Sequence, residues 1–218
     1  MIVVGEQFER IDLRGLGGAG RNQESTWSRP SQARPPRRLL AHGLPRFGTM
    51  VPVPEGDQFA DVLTANAEYA RDFSPADLDG RAARGLAVLT CIDSRIDPLA
   101  MLGLKSGDAK IVRNAGGRVT DDVLATLVIA RYLLGVERVM VIAHTDCRMV
   151  AASEDELHSA IREAGGPETS DLTFSTSADQ AASICSDVER VRSFRRLDGL
   201  QVGGFVYDLT EGLLTRIC

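Results

Sequence analysis

Three side chains in this chain are of the kinds that hold a soft metal: Cys91, His144 and Cys147. They come in two short stretches, Cys91-Ile-Asp-Ser-Arg95 and His144-Thr-Asp-Cys147. Two thiolates and a neutral imidazole suit zinc, which takes sulfur and nitrogen ligands in a tetrahedron. Catalytic zinc sites commonly keep three protein ligands and leave the fourth position to water, and two Cys with one His is among the known sets. Asp93 and Arg95 lie two and four residues past the first thiol. An Asp paired with an Arg is held ionised and oriented, so it can accept a hydrogen bond from water on the metal, or bind the metal itself if the pair opens. Cysteine and histidine alone do not prove a metal, since such spacing arises by chance and free cysteines are often inert buried thiols.

The elements that must position these residues are legible on either side of them. Gly85-Leu-Ala-Val-Leu-Thr90 and Val136 to Ala143 are apolar runs of strand length, and each ends at one of the two stretches. A further strand is expected over 108–113, running into Asn114-Ala-Gly-Gly117. The last strand is expected over 202–209, followed by a turn at Glu211-Gly212 and a pairing segment at 213–217. Helices are expected over 57–73 (Phe59, Leu63, Ala67, Ala70 and Phe73 on one face, ended by Ser74-Pro75), from Thr120 to Gly135, over 154–164 and over 178–195, with a short helical piece at 98–104. Strands alternating with helices predict an α/β fold with a mainly parallel central sheet flanked by helices. Ligands in such sheets bind beyond the carboxyl ends of the strands, where both stretches fall.

The composition bounds the rest. The chain has 218 residues, 44% hydrophobic and 25% charged, with a formal net charge of -5, which suits one globular domain and argues against nucleic-acid binding. It contains no run of 18 apolar residues and no visible secretory signal, so neither a membrane span nor export is expected. Four cysteines do not make a disulfide framework at this length. The expected compartment is therefore cytoplasmic, with Cys185 and Cys218 as unremarkable free thiols. His42 and His158 are expected to face solvent. Residues 1–49 scatter arginines among Gly, Pro and Ser, including Arg34-Pro-Pro-Arg-Arg38. They are read as a disordered extension, with a basic tail or a targeting peptide as the functional alternatives, and residues 50–218 as the folded domain.

Three blocks taken together, Cys91-Ile-Asp-Ser-Arg95, Val112-Arg-Asn-Ala-Gly-Gly117 and His144-Thr-Asp-Cys147, resemble the motifs of the β-class carbonic anhydrases. The similarity runs from about Asp57 to the C-terminus, and its length is similar to the short, type-III-like members. The resemblance implies one Zn2+ per chain on Cys91, His144 and Cys147, with Asp93 and Arg95 as a catalytic dyad. It implies reversible hydration of CO2 to bicarbonate by a metal-bound hydroxide, beside a substrate pocket formed by Asn114, Ala115, Gly116 and Gly117. Two thiolates make the bound water less acidic than three imidazoles would. A homodimer, or a tetramer built as a dimer of dimers, is also implied, the 57–73 helix packing on a second subunit. Arg148 stands where many members carry Gly after the second Cys. Relatives of the short form hydrolyse carbonyl sulfide or carbon disulfide with the same ligands, so that activity is the alternative, and a non-catalytic zinc protein is the third reading.

Overall fold

The computed structural model describes residues 56–74 and 79–218, so the expected boundary near residue 49, the 1–49 extension, His42 and Pro75 lie outside the described residues. Two compact units divide after Asn66. The described part of the first is 56–66, which carries the start of helix α1 (Ala60–Asp72). The features below belong to the second unit unless α1 is named.

Five strands form one sheet: β1 (Leu86–Cys91), β2 (Ala109–Asn114), β3 (Arg138–His144), β4 (Gln201–Tyr207) and β5 (Leu214–Arg216). Their order is β2-β1-β3-β4-β5, and every pairing is parallel except β4 with β5, which is antiparallel. The expected mainly parallel sheet is therefore present. The chain leaves β1 to build β2 on one side and returns to build β3 on the other. Strand order thus reverses between β1 and β3, and a crevice opens at their carboxyl ends. Cys91 ends β1 and His144 ends β3.

The helices begin at residues able to cap them. Thr120 Oγ1 accepts from Val123 N at the start of α2 (Asp121–Leu133). After the short α3 (Arg148–Ala151), Ser153 and Glu156 form a reciprocal capping box at α4 (Glu154–Glu163). Asp179 accepts from Ala182 N at α5 (Gln180–Arg192). Helix α2 stops at Leu134, and Gly135 follows with φ 73°.

The two faces of the sheet are covered differently. On one, Leu89, Val141 and Val202 pack with Leu127 of α2 and Ile184, Val188 and Val191 of α5. Leu89, Leu127 and Val188 are each at most 1% exposed, and burying a side chain of this size stabilises by about 1.5–3 kcal/mol. On the other, Leu86, Val88 and Ile142 meet Met101, Leu102, Leu104, Met140 and Phe205. The only local cover there among the described residues is the segment around a single 3-10 turn, Ala100–Leu102. Helix α1 buries none of its residues, and Phe59, Val62, Leu63, Tyr69 and Phe73 are all exposed.

Two expectations fail. Cys185 of α5 and Cys218 at the end of the described chain are joined in a disulfide. They meet because Gly204 of β4 exchanges backbone hydrogen bonds with Cys218 while its missing side chain leaves room for the sulfur: a Cβ there would lie 2.8 Å from Cys218 Sγ. His158 is half-buried rather than solvent-facing. Its Nδ1 is 2.8 Å from the hydroxyl of Thr169, and its ring packs 5.0 Å from that of Phe174.

Candidate metal centre

Parallel register brings the carboxyl ends of β1 and β3 level, Thr90 lying opposite Ile142. Cys91, His144 and Cys147 follow at the mouth of the crevice, all three buried, and one ligand atom from each lies within 4.8 Å of the others. His144 is fully buried, and its Nδ1 lies 2.8 Å from the carbonyl of Thr145. A carbonyl only accepts, so Nδ1 carries the proton and Nε2 is left with a lone pair. That Nε2 is buried with no hydrogen-bond partner. An orphaned ring nitrogen costs free energy unless something binds it, and here it faces two sulfurs. Burial pushes the Cys147 thiol up, and neighbouring Cys91 pushes it the same way. A metal between the two sulfurs would take them as thiolates, and the donor set fits one of the zinc type. The surroundings are apolar: Ile96, Met101, Met149, Val150, Tyr207 and Leu209 pack around the two cysteines.

Asp93 and Arg95 stand beside this cluster as a forked pair. Arg95 Nε donates to Asp93 Oδ1 at 3.0 Å and Nη2 to Oδ2 at 2.7 Å, and the Arg95 backbone N–H adds a third bond to Oδ1 at 2.9 Å. These bonds, led by the guanidinium, hold the Asp93 carboxyl well below the usual carboxylate range, and the pairing raises Arg95 in turn. Asp93 Oδ2 also stands 4.0 Å from His144 Nε2. An ionised oxygen thus sits at the edge of the ligand cluster.

The Asn114–Gly117 loop lies against the same site through its backbone. The Asn114 side chain turns back on its own loop, its amide donating to Arg118 O at 2.8 Å and its oxygen accepting from Arg118 N at 2.7 Å. What reaches the cluster is backbone: Gly116 N donates to Cys91 Sγ at 3.4 Å. Both glycines are required where they stand. Gly116 has φ 78° and Gly117 φ 65°, and a Cβ on Gly117 would lie 3.0 Å from the carbonyl carbon of Thr90 and 3.1 Å from Cys91 N.

Several participants were not visible as such in the sequence. Arg95 Nη1 also pairs with Asp146 Oδ2 at 2.7 Å, and Asp146 adopts a left-handed backbone at φ 55°. Gln180, at the start of α5, donates from its side chain to His144 O. Arg118 pairs with the buried Asp187 at 2.6 Å and donates to Ser175 O, tying the glycine loop to α5. Arg113 donates to three carbonyls of the Cys91 loop. Arg148 opens α3, is exposed and does not have a positive φ, so this position does not require glycine.

A model of the family described as carbonic anhydrase matches residues 86–214. Beta-carbonic anhydrase 1 of Mycobacterium tuberculosis is 32% identical over 164 residues, covering 72% of this chain and 96% of that protein. A carbon disulfide hydrolase of Saccharolobus solfataricus is 42% identical over a shorter stretch of 74 residues, 34% of this chain and 36% of that protein. The crystal structure of carbonic anhydrase from Streptococcus mutans superposes with a TM-score of 0.69 at 31% identity, covering 73% of this chain and 97% of that one. Two buried thiols beside a buried imidazole and a forked carboxylate, on a fold and sequence shared with these proteins, place the chain in the β-carbonic anhydrase family.

Proposed function

We propose that the chain is a zinc lyase that hydrates CO2 reversibly to bicarbonate, with Cys91, His144 and Cys147 as metal ligands and Asp93 and Arg95 as the catalytic dyad. The observation that carries this reading is the unpartnered, buried Nε2 of His144 facing two buried thiols, with the Asp93 carboxylate 4.0 Å away. Bound zinc supplies a Lewis acid that makes water nucleophilic near neutral pH. The protein's own residues do the rest. Arg95 keeps Asp93 ionised and aimed, so Asp93 can only accept a hydrogen bond and thereby orients the attacking water. Gly116 N–H offers its hydrogen bond to Cys91 sulfur, which moderates the charge of that ligand. Apolar neighbours around the cysteines keep competing water out and suit a small linear substrate with no net charge.

Carbon disulfide or carbonyl sulfide hydrolysis is the second reading, supported by the 42% identity with the Saccharolobus carbon disulfide hydrolase over 74 residues. Turnover of CO2, carbonyl sulfide and carbon disulfide on one zinc-loaded sample decides between them: the proposal expects CO2 to be turned over fastest. Measurable turnover of only the sulfur compounds would replace it, and full zinc with no turnover of any would leave a non-catalytic zinc protein.

The proposal includes a homodimer, or a tetramer built from dimers. Its support is the exposed apolar set on α1 and the thin cover of one sheet face. Sedimentation at micromolar concentration tests it, and an active monomer would refute it. Residues 50–218 are proposed as the zinc-binding domain. No helix among the described residues is long and apolar enough to cross a membrane. Cytoplasmic residence stays in the proposal, with the Cys185–Cys218 disulfide as the observation against it, since such bonds are rare in reducing compartments. Thiol trapping in intact cells reads which form is present.

A further inference from the structure

Arg113 is the last-but-one residue of β2 and pairs in register with Thr90, one residue before the first cysteine. Its guanidinium reaches over the loop that leaves β1. Nε donates to Cys91 O at 2.8 Å, Nη2 to Asp93 O at 2.6 Å and Nη1 to Ile96 O at 3.2 Å. No carboxylate among the described residues forms an ion pair with it. All three donor nitrogens are spent on backbone carbonyls of one six-residue loop, which carries both a candidate metal ligand and the candidate catalytic aspartate.

We propose that Arg113 is a positioning residue for the metal centre: it fixes the backbone of Cys91 and Asp93 together, so that ligand and catalytic carboxylate keep one relative placement. The proposal rests on the zinc reading above and deepens it. The loop is gripped at two levels. Arg95 holds the Asp93 carboxylate, whereas Arg113 holds the carbonyl of the same residue and that of Cys91. Without Arg113 the carboxylate could still find Arg95, because both belong to the same loop and would drift together. Their placement against His144 and Cys147, which come from β3, would be lost. A planar fork is needed, because the three carbonyls lie along a stretch of chain that one ammonium cannot span.

The test uses full-length zinc-loaded protein, with Arg113→Lys, Arg113→Ala and, as a control arginine outside the loop, Arg84→Ala. Zinc transfer to a chromophoric chelator is timed, the thermal midpoint of each metal-free form is recorded, and kcat and KM for CO2 are measured. Losing an outer support of a metal site typically costs about 10–100-fold in metal affinity or activity. Both Arg113 variants should therefore release zinc about 10-fold faster or more and lose kcat by a similar factor, with KM for CO2 little changed and the Arg84 variant like wild type. The Lys variant carries the decision if the Ala variant does not fold. Recovery by Lys to within about twofold of wild type in zinc release would overturn the proposal, since it would show that a positive charge suffices. The same holds if zinc release in both variants tracks only a lowered thermal midpoint. Should wild type not hydrate CO2 at all, the carbonic anhydrase reading falls, but the zinc-release comparison still decides the role of Arg113.

Discussion

Replacing Gly117 with Ala puts the tightest local packing of the site under test. Its φ of 65° is left-handed, and an added Cβ would meet the backbone of two strands: the Thr90–Cys91 peptide of β1, with Thr90 C at 3.0 Å and Cys91 N at 3.1 Å, and Ile142 O of β3 at 3.1 Å. A left-handed backbone costs a residue with a Cβ about 1–2 kcal/mol. Forcing an extra methyl into a packed region costs about 1–3 kcal/mol more, and here no flexible side chain can give way, because the neighbours are the two central strands. Together these amount to about 2–5 kcal/mol, a large part of a typical domain stability of about 5–15 kcal/mol. The strand end that must yield is the one carrying Cys91, so zinc retention should fall with stability. Urea unfolding followed by circular dichroism, with zinc measured on the same samples, reads both. Gly80→Ala is the control, since Gly80 has no atom within 4 Å of its would-be Cβ and no positive φ; about 0.5 kcal/mol or less is expected for it. A Gly117→Ala protein within about 1 kcal/mol of wild type and with full zinc would refute the packing argument, whose two costs sum to more than that.

Further outcomes follow from other parts of the structure. Asp93→Asn keeps the size of the side chain but removes the ionised acceptor, so CO2 turnover should fall by about 10²–10⁴-fold while zinc stays bound; unchanged turnover would take Asp93 out of the chemistry. Glu154 accepts backbone hydrogen bonds from Phe174 and Thr176, which lowers its pKa. A depressed folded-state pKa contributes stability above the unfolded value of about 4.3, and that contribution is lost as pH falls through the folded value. Glu154→Gln should therefore flatten the acid limb of a stability–pH curve below that point and leave its slope near pH 7 unchanged; an unaltered acid limb would show the bonds contribute nothing. Cys185→Ser opens a loop of sequence separation 33, which should cost about 3–4 kcal/mol. Unfolding with and without reductant checks it: wild type should respond to reductant and the variant should not.

Much of this architecture was legible from residue types. The apolar runs before Cys91 and His144 could only be buried strands, and both motifs had to emerge at strand ends. Thr120 marked the start of its helix because a side-chain oxygen there meets free N–H groups. Strand order was not legible, because periodicity reports burial and not neighbours; the reversal between β1 and β3 that makes the crevice appears only in the sheet. For the same reason Arg113 reads in sequence as the polar end of a strand, and its reach across to the β1 loop depends on β2 lying next to β1. Cys185 and Cys218 carried no spacing signal, since their meeting depends on α5 and the end of the described chain both packing at Gly204. His158 shared a helix with Glu154 and Arg162 and so read as a surface residue, yet the 169–174 segment folds over it and covers one side. Arg148 drew attention as a departure from glycine, but its backbone needs none.

The central claim is that the Cys91, His144 and Cys147 cluster holds a zinc that makes this chain an enzyme on CO2. Stopped-flow CO2 hydration, with zinc determined on the same sample, tests it most directly. The account predicts about one zinc per chain from its three-ligand set, turnover that chelation abolishes and added zinc restores, and no turnover in Cys91→Ser. Full zinc occupancy with no CO2 hydration between pH 6 and 9, or hydration that survives removal of the metal, would contradict it.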